Sequence, residues 1–203
     1  MARPPKEDWV PLMRKEAVKR LKEGKDVKVM EIAEELGTSP ALVHFYFGDR
    51  QHLVDEAWRE ILWAYVDEDS AEVARIARDR DWAGVERLVR DILSPDRDAT
   101  HTAHVRAAGE AVASGDLRAT LREVHESTID RWVQLLRQSI AAGQAETELD
   151  LDALATLIVA LPVGLAAVDP EMEPSRRRAI AAAYTSMLRA VLDADYSPHG
   201  PQA

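Results

Sequence analysis

Between Leu53 and Val66 the apolar residues Leu53, Val54, Ala57, Trp58, Ile61, Leu62, Tyr65 and Val66 step along the chain at alternating intervals of one and three. That spacing follows the turn of an α-helix, and no proline or glycine interrupts it, so a long helix with one apolar face is predicted. The same period returns downstream. Trp82, Val85, Leu88, Val89 and Ile92 mark a helix closed by Ser94-Pro95, and residues 101–113 form another before Gly115-Asp116. Leu117, Leu121, Val124, Thr128, Ile129, Trp132, Leu135, Leu136 and Ile140 outline a long helix that stops at Gly143. Residues 151–168 and 175–192 complete the series, separated by D-P-E-M-E-P-S. Period-two alternation occurs nowhere, so the predicted fold class is all-α with about nine helices and no internal repeat.

The segment from Val29 to Leu53 carries the functional signal. Ile32, Ala33 and Leu36 give a short amphipathic helix, with Ala33 small enough for a second helix to cross it closely. Gly37 ends that helix, since glycine enters the left-handed region without steric cost. Ser39-Pro40 then starts another, the serine as a cap and the proline in the first turn. Val43 and Phe47, one turn apart, face the core, with Phe45 also read as core. Ser39, Pro40, Ala41, His44 and Tyr46 are left toward solvent or a DNA groove. Tyr46 fits either side, and His44 also fits a surface histidine without a role. The arrangement is a helix-turn-helix, and it predicts DNA binding.

The continuation F-Y-F-G-D-R-Q-H-L narrows the pattern further, and here the chain resembles the TetR family of bacterial transcriptional regulators. The similarity runs from a first helix around Trp9 to Leu21, through V-K-V-M-E-I-A and G-T-S-P-A-L-V-H-F-Y-F, to the residues that open the long helix, covering about the first third of the chain. His44 stands where the family usually has tyrosine, Ala41 where it has glycine or a small residue, and Arg50 where it has lysine. The resemblance implies an N-terminal three-helix DNA-binding domain over residues 6–53, with the helix-turn-helix at about 29–48. A long helix joins it to a ligand-binding and dimerisation domain over 54–194, and 195–203 reads as a disordered tail. Lys28, Thr38, Ser39, Pro40, Ala41, His44, Tyr46 and Arg50 are the expected DNA contacts.

Charge agrees once it is divided along the chain. The formal net charge is −10, but residues 1–66 hold 11 Lys and Arg against 12 Asp and Glu, leaving 15 against 24 downstream. Residues 1–28 alone carry nine basic and five acidic side chains. Some of these bases are placed to meet phosphates, Lys28 best of all, whereas Arg14, Lys15 and Lys19 read better as a solvated helix face. No cysteine and no signal-like N-terminus is present, and the longest apolar run, 157–168, is short and contains Pro162. A cytoplasmic protein without a membrane segment is expected.

The last two helices carry apolar faces that need a partner. Leu154, Ile158 and Leu161 on one, with Tyr184, Met187, Leu188 and Val191 on the other, are the expected homodimer interface. TetR-like proteins pair these helices as a four-helix bundle, which implies two recognition helices on a palindromic operator in double-stranded DNA. The family also implies a small, largely apolar effector whose binding releases a repressor. Trp63, Trp82, His104, Arg106, Glu110 and Trp132, with Gln134, are the candidate pocket residues, although the tryptophans suit an ordinary bundle core equally. Pro162 is a candidate kink beside such a cavity. Two other readings stand beside this one: a helix-turn-helix protein with no effector, and a helical-bundle metal enzyme using His101, His104 and His125 with Glu110, Asp116 and Glu126. The latter lacks a fixed ligand spacing, and no phosphate loop, G-x-S-x-G or cysteine nucleophile accompanies it, so no catalytic residue, metal site or cofactor is assigned.

Overall fold

The computed structural model describes residues 9–79 and 82–192, and these are helical nearly throughout. The elements are α1 (Trp9–Lys22), α2 (Val29–Glu35), α3 (Pro40–Phe47), α4 (Arg50–Asp79), α5 (Trp82–Ile92), α6 (Asp98–Glu110), α7 (Gly115–Ala141), α8 (Leu151–Val168) and α9 (Pro174–Leu192), with one 3-10 turn at Pro95–Arg97. The all-α class is as predicted, and no strand occurs among the described residues. Both ends of one helix shift. The helix expected over 101–113 ends at Glu110 and begins three residues earlier, because Asp98 places its carboxylate on the first turn, where the exposed N–H groups favour it. The proposed tail 195–203 lies outside the described residues.

The chain forms two compact units, Met1–Tyr65 with Arg106–Val124 and Val66–Val105 with His125–Ala203. The boundaries therefore do not follow a cut at residue 53, since α6 and α7 each contribute one part to each unit. In the first unit α1 buries Trp9, Met13, Ala17 and Leu21 at successive fours, one stripe of the helix. Ile32 and Ala33 of α2, Val43 of α3, and Leu53, Val54, Ala57, Trp58, Ile61 and Leu62 of α4 are buried as well. The apolar stripe read in α4 is thus core.

Arg106 is part of this unit's frame. Its Nη1 donates to the Leu21 carbonyl oxygen at 2.6 Å, satisfying the open end of α1, and its guanidinium lies 5.5 Å from the centre of the Trp58 ring. Ser114 caps α7 by accepting from the Leu117 N–H at 3.1 Å, while its hydroxyl donates to Asp55 Oδ2 at 2.8 Å.

The second unit has its own core. Ile76, Leu88, Val89, Leu93, Trp132, Leu135, Leu136, Leu154, Ala155, Ile158, Leu188 and Leu192 lie in it, drawn from α4, α5 and the turn after it, α7, α8 and α9. Asp150 caps α8, accepting from the Ala153 N–H at 2.8 Å. By length and composition α8 meets the minimum for crossing a bilayer, with 18 residues and mean hydropathy 2.2, which corrects the reading of 157–168 as too short. Five of its residues, Leu154, Ala155, Ile158, Pro162 and Ala166, are instead buried in the protein. Pro162 sits inside a helix that continues to Val168.

Candidate nucleic-acid interface and effector site

The turn between α2 and α3 is built from backbone hydrogen bonds. The Thr38 N–H donates to Ala33 O at 2.8 Å and the Gly37 N–H to Glu34 O at 3.0 Å, the paired bonds of a Schellman ending. This needs a left-handed residue, and Gly37 has φ of 64°. Ser39 follows as the N-cap in extended backbone with Pro40 next, but its side chain makes no capping hydrogen bond. That corrects the expected serine cap. Proline brings no N–H, and the Leu42 N–H is taken by the Ser39 carbonyl at 3.0 Å, so the hydroxyl stays on the exposed surface.

α3 turns one side in and one side out. Val43 is fully buried, whereas Ala41, His44 and Phe45 are exposed and share a face by their spacing of three and four. Pro40 and Tyr46 are half-buried. Phe45, read from sequence as core, is 78% exposed and packs edge-on against Tyr46, ring centres 5.2 Å apart at 79°. Helical geometry explains the correction: Val43 and Phe47 define the inner side, and Phe45 lies between them in sequence and so on the other side. Thr38 is half-buried, and its hydroxyl oxygen is buried without a hydrogen bond, turned away from the surface its neighbours present.

The charged residues around α3 are already engaged. Arg50 Nε donates to the Val27 carbonyl at 2.7 Å, tying the start of α4 to the loop before α2, although the residue stays exposed. Lys28, the N-cap of α2, bonds Glu31 at 2.9 Å. Arg20 reaches Glu16, Glu31 and Glu35, and Lys19 reaches Glu16 and Glu35, which draw the Glu35 carboxyl down to about 2. The basic run of α1 is thus largely an ion-pair network on a helix face. Asp49, which sequence reasoning missed, accepts from the His52 N–H at 2.9 Å and caps α4; an aspartate three residues before that N–H was the available signal.

The expected pocket residues are divided between the two units. Trp63, Arg106 and Glu110 belong to the first unit, and Trp132 and His104 to the second. Arg106 is held by α1, Gln134 is exposed, and the side chain of Trp82 lies outside the described residues. A recess does open in the second unit, about 230 Å³ including open solvent, lined by Val66, Asp69, Ser70 and Val73 of α4 and Thr128, Arg131 and Trp132 of α7. Burial raises the Asp69 carboxyl above its ordinary range despite its ion pair with Arg97, and Arg131 Nη1 donates to Val66 O at 3.0 Å. His104 stacks on His125, centres 6.2 Å apart, and its Nδ1–H donates to the Thr100 carbonyl at 2.9 Å. Glu110 and Asp116 lie in the other unit from His101, His104 and His125. Among the described residues no group of three potential ligands is placed to hold a metal ion.

Solved structures share this arrangement of helices. A TetR transcription regulator from Haloarcula marismortui superposes with a TM-score of 0.69 over 92% of this chain and 100% of its own, at 19% identity. FadR from Bacillus subtilis, in complex with stearoyl-CoA, gives 0.58 over 88% and 96% at 12% identity. A protein assigned as a transcriptional regulator from Saccharomonospora viridis, in complex with choline, gives 0.65 over 91% and 95% at 21% identity. The chain has the fold of TetR-family regulators. No protein-family model matches the sequence, and no curated protein sequence matches it.

In this TetR-type fold the faces of α8 and α9 need reassignment. Leu154, Ile158 and Leu188 are buried within the chain's own core, Leu161, Tyr184 and Val191 are half-buried, and of the expected interface residues only Met187 is well exposed, at 65%. The outward side of α8 carries Ala153, Leu157, Ala160, Gly164 and Ala167, and that of α9 carries Ala179, Ala182, Ala183, Ser186 and Met187. Choosing the largest apolar side chains found the core, since each helix has two apolar sides and the outward one is mostly small.

Proposed function

We propose that this chain is a DNA-binding transcription regulator of the TetR kind, a repressor that binds a palindromic operator as a homodimer and leaves it when a small molecule binds. The observation that carries the reading is the exposed face Ala41, His44 and Phe45 of α3, braced by Gly37 and buried Val43. A short helix held rigidly at its start, with an outer face whose contacts stay within the helix and its C-cap, suits insertion in a major groove. Ser39, Lys28 and Arg50 flank it as donors to phosphate. α4 supplies Arg50 beside α3 and also Val66, Asp69, Ser70 and Val73 of the recess, so an effector there acts on the same helix that carries the DNA-facing end. The neighbours' stearoyl-CoA and choline make a ligand that joins an apolar part to a charged part the natural class. Binding to chromosomal DNA places the protein in the cytoplasm.

Selection of duplexes from a random library by the full chain tests the reading. A two-fold symmetric site with half-sites about 34–36 Å apart is expected. His44→Ala should change the bases preferred, and an identical consensus from both proteins would remove His44 from the readout. Dimerisation is tested at Leu157, which is 62% exposed in the single chain. Leu157→Glu should fold normally yet give the mass of one chain, 22.6 kDa, by light scattering. Leu188→Glu should instead unfold the protein, because that residue is core. An unchanged dimer mass in Leu157→Glu would assign the interface elsewhere.

A second reading, an operator-binding protein without an effector, is favoured by the polar groups of the recess being already engaged, Asp69 with Arg97 and Arg131 with the Val66 carbonyl. A thermal-shift series with acyl-CoA and quaternary amines separates the two: an effector raises the melting point and weakens operator binding about fivefold or more.

A further inference from the structure

We propose that Phe45 is a base-reading residue that recognises the C5-methyl group of a thymine, an inference that rests on α3 being the DNA-reading helix. The ring is 78% exposed, so folding gains little from it, yet it stands on the face shared by Ala41 and His44. Its ring contact among the described residues is the T-shaped one with half-buried Tyr46, 5.2 Å between centres, which steadies the phenyl plane without covering it. No side chain on that face of α3 is charged. The face therefore offers phosphates little, and a phenyl ring offers base edges no hydrogen bond. What remains in the major groove is an apolar landmark, and of the four bases only thymine carries one there, the C5-methyl. His44 beside it supplies the polar half of the readout through a ring nitrogen. The pair reads two neighbouring positions by different chemistry.

The test uses full-length protein and a duplex enriched by it from a random library. Each selected thymine is replaced in turn by deoxyuridine, which removes the methyl and keeps every hydrogen-bonding group. One position per half-site should weaken wild-type binding about fourfold, the worth of burying one carbon group. Phe45→Ala should bind that duplex more weakly and lose the difference between thymine and uracil, while Phe45→Leu should retain part of it. Unfolding midpoints of both variants should match wild type, since the exposed ring is not core. If no uracil substitution weakens wild-type binding, or if Phe45→Ala keeps the full methyl dependence, Phe45 does not read thymine. Enrichment of no duplex at all overturns the DNA-binding reading and this assignment together, whereas an enriched duplex bound without regard to methyl groups overturns the assignment alone.

Discussion

Asp98→Ala is expected to lower the folding free energy by about 3 kcal/mol, read from urea or thermal unfolding. The reason is what the substitution leaves behind. Arg177 of α9 is 3% exposed, and Asp98 at the start of α6 is its ion-pair partner within the second unit. A buried guanidinium cannot shed its proton, so without the carboxylate it stays charged in a poorly solvated place. Asp98 itself is 40% exposed, which places the effect at the lower end of the range of about 3–5 kcal/mol for breaking buried pairs. Adding Arg177→Met should recover much of the loss, because the aliphatic chain fills the same space with no charge to solvate. A loss below about 0.5 kcal/mol in Asp98→Ala, the range of ordinary surface changes, would show that water reaches Arg177.

The fold was legible because helical signals are local. The stripe from Leu53 to Val66, the stop at Gly37 and the restart at Pro40 each depend on neighbours within a turn or two, and each element formed where its period placed it. Phe45 was less legible, since in a helix of eight residues with apolar side chains on every side no moment separates inner from outer. The faces of α8 failed for a related reason. Leu154 and Ile158 look like interface residues only when one apolar side is assumed, and this helix has a second side of alanine and glycine around Leu157.

Sites built from distant residues were least legible. Trp63, Arg106 and Glu110 share apolar or polar character with Trp132 and His104, but nothing in their spacing says that they fall into different units. The contact of Arg106 with the end of α1 joins residues 85 positions apart, and no local pattern encodes such a pairing. Likewise the partner of Arg177 is an ordinary helix-starting aspartate in sequence. Its significance comes from burial, which is a property of the assembled core.

Acidification should destabilise the protein well before its carboxylates protonate. His101 is 6% exposed, and burial, followed by the nearby His104, Arg177 and Arg97, pushes its imidazole down to about 4 from its ordinary 6.5. His104 and His125 are lowered as well, chiefly by burial. A histidine that stays neutral in the fold but takes a proton when unfolded gives stability that is whole above its unfolded pKa and shrinks as pH falls toward the folded one. The window is therefore about pH 6.5 down to 4, and His101 alone should remove about 2 kcal/mol by pH 5 and about 3 kcal/mol in full. The lowered carboxylates Glu23, Glu31, Glu35 and Asp49 act below their ordinary range of about 4, so they leave the upper part of this window to the histidines. Asp69, raised by burial, works in the opposite sense, its contribution being lost as pH rises above its ordinary value. Unfolding free energies measured from pH 7.5 to 5 should fall for the wild type and fall less for His101→Gln, which keeps a polar side chain of similar reach without titrating in this range. Equal slopes in the two proteins would mean that His101 is protonated in the native state and that water, absent from a 6%-exposed ring by geometry, reaches it by local opening of the α6 end of the second unit.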